Sequence, residues 1–247
     1  MKRLQFLAAL SAALTMGGAA EARGPATAKA PVVVELFTAQ GCTACPQANA
    51  LLGELASKKG VIALTFPVDY WDYLGWADTF ARPEYTARQR AYIGKLKLRE
   101  IYTPEVIVNG RREARGFDRA KVGELVTDAL AKRRAPLKAV AVKDAQGRPT
   151  RVSVGAGPST GAAEVWLVRY DPAERTVKVT TGDNKGKTVV QENVVRELVR
   201  LGSWSGAAKR LRVPPPAKTS DPAESALKSV LLVQCAKGGP LIGAAAL

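Results

Sequence analysis

Histidine is absent from all 247 residues. Without imidazole, Ser-His-Asp and Cys-His hydrolysis are excluded, and the commonest zinc and copper ligand is missing. Methionine occurs twice and cysteine three times. No stretch approaches the ~20 apolar residues that a membrane-spanning helix needs. There is also no arginine-rich tract and no aromatic-basic interleaving of the kind a nucleic-acid module uses, so nucleic acid is not expected as a partner. What remains open is mainly thiol chemistry, for which neither a cofactor nor a metal is called for.

The cysteines direct attention to Val32–Pro46, V-V-V-E-L-F-T-A-Q-G-C-T-A-C-P. Val32, Val33, Val34, Leu36 and Phe37 have the β-branched and aromatic character of a buried strand, which Gln40-Gly41 ends. Pro46, Ala48, Leu51, Leu52, Leu55 and Ala56 then recur at spacings of three and four, predicting an amphipathic helix from about Cys45 to Ser57. Cys42 falls just ahead of the first turn, where unpaired N–H groups and the helix dipole favour a thiolate. It is the candidate nucleophile. Cys45, three residues on, is the candidate resolving thiol, able to close a small disulfide ring.

The length suits two domains of ordinary size. Lys2 and Arg3 precede an apolar run to about Met16 and then Gly17-Gly18-Ala19-Ala20, the pattern of a secretory signal cleaved after Ala20 or Ala22. A periplasmic or secreted location follows, in which disulfides persist. Lysine and arginine exceed aspartate and glutamate by 15, and by 13 once Met1 to Ala20 are removed. Residues 31–134 carry 16 basic and 12 acidic side chains, and residues 135–247 carry 17 and 9. This second-half excess implies attraction to anionic envelope surfaces or acidic partners. Cys235, in the apolar run S-V-L-L-V-Q-C, reads as a buried, inert thiol.

After the first helix, Val61–Phe66 reads as a second buried strand. Tyr70, Trp71, Tyr73, Trp76 and Phe80 then crowd one loop, as a packed plug over the strand ends or a rim beside the cysteines, packing being the favoured role. Pro83 opens a helix to about Leu96. Glu105–Val108 and Arg112–Arg115 form a hairpin about Asn109-Gly110, and Asp118 N-caps a helix bearing Val122, Leu125, Val126, Ala129 and Leu130. Beyond Ala135-Pro136 the runs A-V-A-V, R-V-S-V, A-E-V-W-L-V-R-Y, T-V-K-V-T-T and S-V-L-L-V-Q predict an antiparallel β-sandwich or barrel. One helix is expected within it, from about Glu192 to Leu201, on the spacing of Val194, Val195, Leu198 and Leu201. R-V-P-P-P-A-K-T-S-D-P reads as an exposed loop.

The first-half order of strand, helix, strand, helix, hairpin, helix is that of thioredoxin. Further, E-L-F-T-A-Q-G-C-T-A-C-P, P-V-D-Y-W-D-Y-L-G-W-A-D-T-F, R-Q-R-A-Y, Y-T-P-E-V-I-V-N-G and the terminal G-P-L-I-G-A-A resemble a secreted bacterial family of unknown function with a thioredoxin-like fold. The resemblance spans most of the mature chain. The fold expected is an α/β thioredoxin-like domain, a mixed central sheet flanked by helices, over residues 31–134. A smaller, mostly antiparallel β-sandwich domain would follow over 135–247. The resemblance also implies a cis peptide at Thr103-Pro104, which would turn the Thr103 backbone toward the cysteines to pair with an extended substrate segment.

Three functions stay open. In the first, an exported oxidoreductase exchanges disulfides with envelope proteins through Cys42 and Cys45, with Thr103 and Pro104 binding substrate. Glu35 is then a candidate proton acceptor for Cys45 if buried, although a core-edge carboxylate is the simpler reading. In the second, the protein is a non-enzymatic scaffold with a structural disulfide, and its basic β-rich half does the binding. The third, a soft-metal carrier, is disfavoured by the scarcity of methionine and the lack of further paired cysteines.

Overall fold

The computed structural model of the chain describes residues 29–158, 161–217 and 227–247. The expected signal segment 1–22 and part of the proline-rich loop lie outside these. β1 (Val32–Thr38) is buried along its whole length, and parallel β2 (Val61–Pro67) and antiparallel β3 (Glu105–Val108) flank it. β4 (Arg112–Arg115) pairs with β3, Val108 opposite Arg112, so the turn takes in Arg111 as a third residue after Asn109 and Gly110, both of which have positive φ. α1 (Cys45–Ala56), α2 (Pro83–Leu96) and α3 (Arg119–Ala131) fall where the periodicity predicts them, and the Asp118 side chain caps α3 by accepting from the Lys121 N–H.

In the second half, β5 (Ala139–Lys143), β6 (Pro149–Val154) and β11 (Lys209–Arg212) make a three-stranded antiparallel sheet. β8 (Arg175–Lys178) and β9 (Thr188–Gln191) form a hairpin. β7 (Ala163–Asp171), β10 (Val194–Trp204), β12 (Lys228–Cys235) and β13 (Leu241–Ala246) are antiparallel neighbours, but they do not form a sheet of their own. β10 runs parallel to β2, giving one mixed eight-stranded sheet in the order β13-β12-β7-β10-β2-β1-β3-β4. At the seam the Thr65 N–H donates to Asn193 O at 3.0 Å and Asn193 Nδ2 donates to Ala63 O at 2.9 Å.

β10 overturns the helix expected over Glu192–Leu201. Its register shifts between Val195 and Glu197 and again between Arg200 and Gly202. Each bulge inserts one residue and resets the alternation. Val195 and Leu198 therefore share a face at a spacing of three, which imitates a helical period in a strand. Cys235 is a second correction: at the end of β12 it is half-buried, not buried.

Among the described residues the apolar side chains gather into three clusters. Val32, Val34, Leu36, Val106 and Val108 face α1 and α3. Val165, Leu167, Leu231 and Val233 face Val152 and Val154 of the small sheet, so two antiparallel layers do stack in the second half. The third cluster crosses the halves: Phe37, Leu64 and Phe66 meet Val168, Val195, Val230 and Leu232 around Tyr85 and Tyr92 of α2. The large sheet curls about this helix. Its β13 end returns to the β3–β4 turn, where the Leu241 N–H donates to Asn109 O at 2.9 Å.

Candidate functional site

β1 delivers the chain to the Gln40-Gly41 break, and α1 begins at Cys45 with Pro46 in its first turn, where a missing N–H has no cost. Cys42 and Cys45 are disulfide-bonded, with Cα atoms 5.4 Å apart. The Cys45 N–H donates to Cys42 O at 3.2 Å, so the pair spans the turn that leads into the helix. Both side chains are enclosed, Cys42 at 1% exposure and Cys45 at 0%.

The peptide bond between Thr103 and Pro104 is cis. A Cβ added at Gly116 would stand 2.9 Å from both Pro104 Cβ and Ala48 Cβ, so the Pro104 ring lies one glycine's width from the first turns of α1. The structure thus brings Cys42, Cys45 and Pro104 to one end of the central strands.

Glu35 is fully buried, on the face of β1 that meets α2. Its carboxylate accepts from Arg88 Nε and from the Tyr92 hydroxyl, both at 2.5 Å. Arg88 also donates to Gln234 of β12 at 3.2 Å, and Gln234 Nε2 donates to Tyr92 and to Gly239 O. Burial works against the Arg88 charge, but Glu35 beside it holds the guanidinium above its ordinary value. Glu35 is therefore committed to a buried ion pair that ties β1, α2 and β12 together.

Glu105 is a different buried carboxyl, immediately after Pro104 and paired in register with Phe37. Burial pushes it up to about 7, with Glu113 and Glu35 adding to the rise and the 2.6 Å hydrogen bond donated by Gln89 opposing it. Gln89 also donates to Tyr102 O at 2.8 Å, which fixes the segment leading to Thr103. Nothing in the sequence marks a carboxyl that ionises near neutrality beside Pro104, because there Glu105 is one charge at a strand start.

A clamp around Gln40–Cys42 likewise has no signal in the sequence. The Gln40 N–H donates to Asp78 Oδ2 at 2.7 Å, and Gln40 Oε1 accepts from Trp76 Nε1 at 2.9 Å. From the other side Gln191 of β9 accepts from Gln40 Nε2 at 3.4 Å. Asn184, in the β8–β9 loop, donates from Nδ2 to Gln40 O at 2.8 Å and to Cys42 O at 3.0 Å. Burial raises the Asp78 carboxyl to about 6, against backbone N–H donation from Gln40, Phe80 and Ala81. The aromatic loop packs as expected: Tyr70 and Trp71 join the cysteine cluster, although Tyr73 is exposed. The partner from the second half has no local signal, because D-N-K-G-K-T reads only as a turn.

Among the described residues no group of three or more histidine, cysteine, aspartate or glutamate side chains could hold a metal ion, and no helix is long and apolar enough to cross a membrane.

No functionally curated protein matches the sequence. Among solved structures, protein AGR_C_4864 from Agrobacterium tumefaciens is similar at 29% identity and a TM-score of 0.69, over 90% of this chain and 96% of that one. HBP35 of Porphyromonas gingivalis is similar in fold at 12% identity and a TM-score of 0.54, over 89% of this chain and 75% of that one. Residues 33–234 match the family model described as protein of unknown function (DUF1223), a span that holds the cysteine pair, the Pro104 loop and the Asn184 clamp, and the chain belongs to that family.

Proposed function

We propose that the protein is an exported thiol-disulfide oxidoreductase built on a thioredoxin-like unit, residues 31–134, with residues 135–247 as a β-rich companion. The observation that carries this reading is the Cys42–Cys45 disulfide at the start of α1, at the same end of the central strands as the Thr103-Pro104 loop. The order β1-α1-β2-α2-β3-β4-α3 supports it. In the reduced protein, Cys42 thiolate attacks a substrate disulfide, forming a mixed disulfide and releasing one substrate thiolate. Cys45 thiolate then attacks the Cys42 sulfur and releases the second thiolate. The substrate gains two electrons, and Cys42–Cys45 is oxidised. Run backwards, the same steps oxidise a dithiol. Thr103 and Pro104 offer the backbone edge for the substrate segment.

The enclosure of both sulfurs favours a second reading, in which the disulfide is structural and the basic second half does the binding. The reduction potential separates the two. Mature protein carrying Cys235→Ser is equilibrated against glutathione buffers and the Cys42–Cys45 state is read by thiol alkylation. A value between about −120 and −270 mV is expected for an exchanging pair, whereas one below about −300 mV marks a structural disulfide and overturns the first reading.

A further inference from the structure

The three-stranded sheet has one face in the core and one in solvent. Ala141, Val152 and Leu211 lie side by side in register and turn inward, with Val152 buried. The alternate rows turn outward: Val140, Ser153 and Arg210 in one, Val142, Arg151 and Arg212 in the next. Period-two alternation places these six side chains on a single surface. Val140 is 69% exposed and Val142 49%. The three arginines are exposed and form no ion pair among the described residues.

Charge is one-sided here. Residues 136–157 and 205–217, which supply the strands and their flanks, carry seven lysines and arginines against one acidic residue, Asp144. That carboxylate is already taken by Arg148 at 2.8 Å. At the end of the Val140 row the surface opens into a groove of about 640 Å³ bordered by Lys138 and Lys209.

We propose that this outer face of β5, β6 and β11 docks the protein on an anionic lipid bilayer. Guanidinium groups on a flat surface meet phosphate oxygens with paired hydrogen bonds as well as charge. The two valines decide between a bilayer and a soluble polyanion. Large apolar side chains held among cations gain nothing from a hydrated polyanion, but they enter the headgroup-acyl boundary of a membrane favourably. The face lies in the second half, where the basic excess is concentrated, and it uses none of the residues around the cysteines.

Co-sedimentation of the full mature chain with phosphatidylcholine vesicles, with or without phosphatidylglycerol, tests the assignment. Binding is expected only with phosphatidylglycerol and should weaken as salt rises. An Arg151→Ala, Arg210→Ala, Arg212→Ala variant should lose roughly fivefold in partition per arginine, about a hundredfold in all. Val140→Ser with Val142→Ser should lose roughly fivefold to tenfold while keeping the salt dependence. All five side chains are exposed, so unchanged thermal melting would certify that the variants are folded. Absence of phosphatidylglycerol-dependent binding in the wild type overturns the proposal, as does full binding by the arginine variant. So does a valine variant that binds vesicles like wild type while the arginines alone control binding to heparin, the result expected of a polyanion site.

Discussion

Glu105 shows what one side chain contributes when its surroundings disagree with its charge. Unfolded, this carboxyl ionises near 4.5; in the fold it is buried and ionises near 7. Between those values the folded protein holds a proton that the unfolded chain has released, so stability falls as pH rises through the window. The shift corresponds to roughly 3 kcal/mol lost across it. Asp78 adds a fall of the same sign that is complete near its own value of about 6. Glu105→Gln keeps the size of the side chain and an acceptor for Gln89 but cannot ionise. Urea midpoints measured from about pH 5 to pH 8 should show the variant level above pH 6 while the wild type continues to fall. Equal slopes would mean that Glu105 is already ionised in the fold. Little of this was legible in the sequence. Glu35 was recognisable as a carboxylate on a buried strand, but its partner Arg88 lies 53 positions away, and Gln89, which faces Glu105, is separated from it by 16. Burial and partners, not residue type, decide which carboxyl is neutral.

Among the elements, the helices, the β3–β4 hairpin and the strand before the cysteines follow from periodicity and turn chemistry, because neighbours in sequence settle them. β10 does not, since a bulge counts as an extra residue in any periodic reading. The β8–β9 hairpin has only a strand and a turn as its local signal, yet its loop packs onto the backbone of Gln40–Cys42. Asn184 supplies one amide to the carbonyls of both Gln40 and Cys42. Asn184→Ala removes those hydrogen bonds from a buried place, a loss of about 1–3 kcal/mol. Most of that loss should fall on closure of the hairpin over Cys42, because the carbonyls regain water when it lifts. Reduction of Cys42–Cys45 by dithiothreitol under native conditions should therefore accelerate by roughly fivefold to thirtyfold, with a smaller effect on the global unfolding midpoint. Followed by alkylation and mass spectrometry, an unchanged rate would show that reduction does not pass through lifting of this loop.

For the whole molecule, the decisive fact is that a strand from residue 194 onward pairs beside one from residue 61. Composition changes near Ala135, and on that change the sequence divides into domains over 31–134 and 135–247. No local pattern reveals which edge of β2 a distant strand will cover. The cluster around α2 depends on that junction, since Val168, Val195, Val230 and Leu232 complete the apolar surround of Tyr85 and Tyr92. The buried guanidinium of Arg88 depends on it as well, through Gln234 and the Trp166 ring. A fragment of residues 29–134 would expose β2 as an unpaired edge, uncover one side of α2 and leave the Arg88–Glu35 pair open to water. Helical signal should survive in such a fragment, because α1 and α3 keep their own cluster against β1 and β3. A cooperative thermal transition in near-ultraviolet circular dichroism should not survive, whereas the full chain should melt in one step. If the fragment melts cooperatively within a few degrees of the full chain, the seam between β2 and β10 joins two units that are stable apart, and the cluster around α2 is not the common core inferred from its contacts.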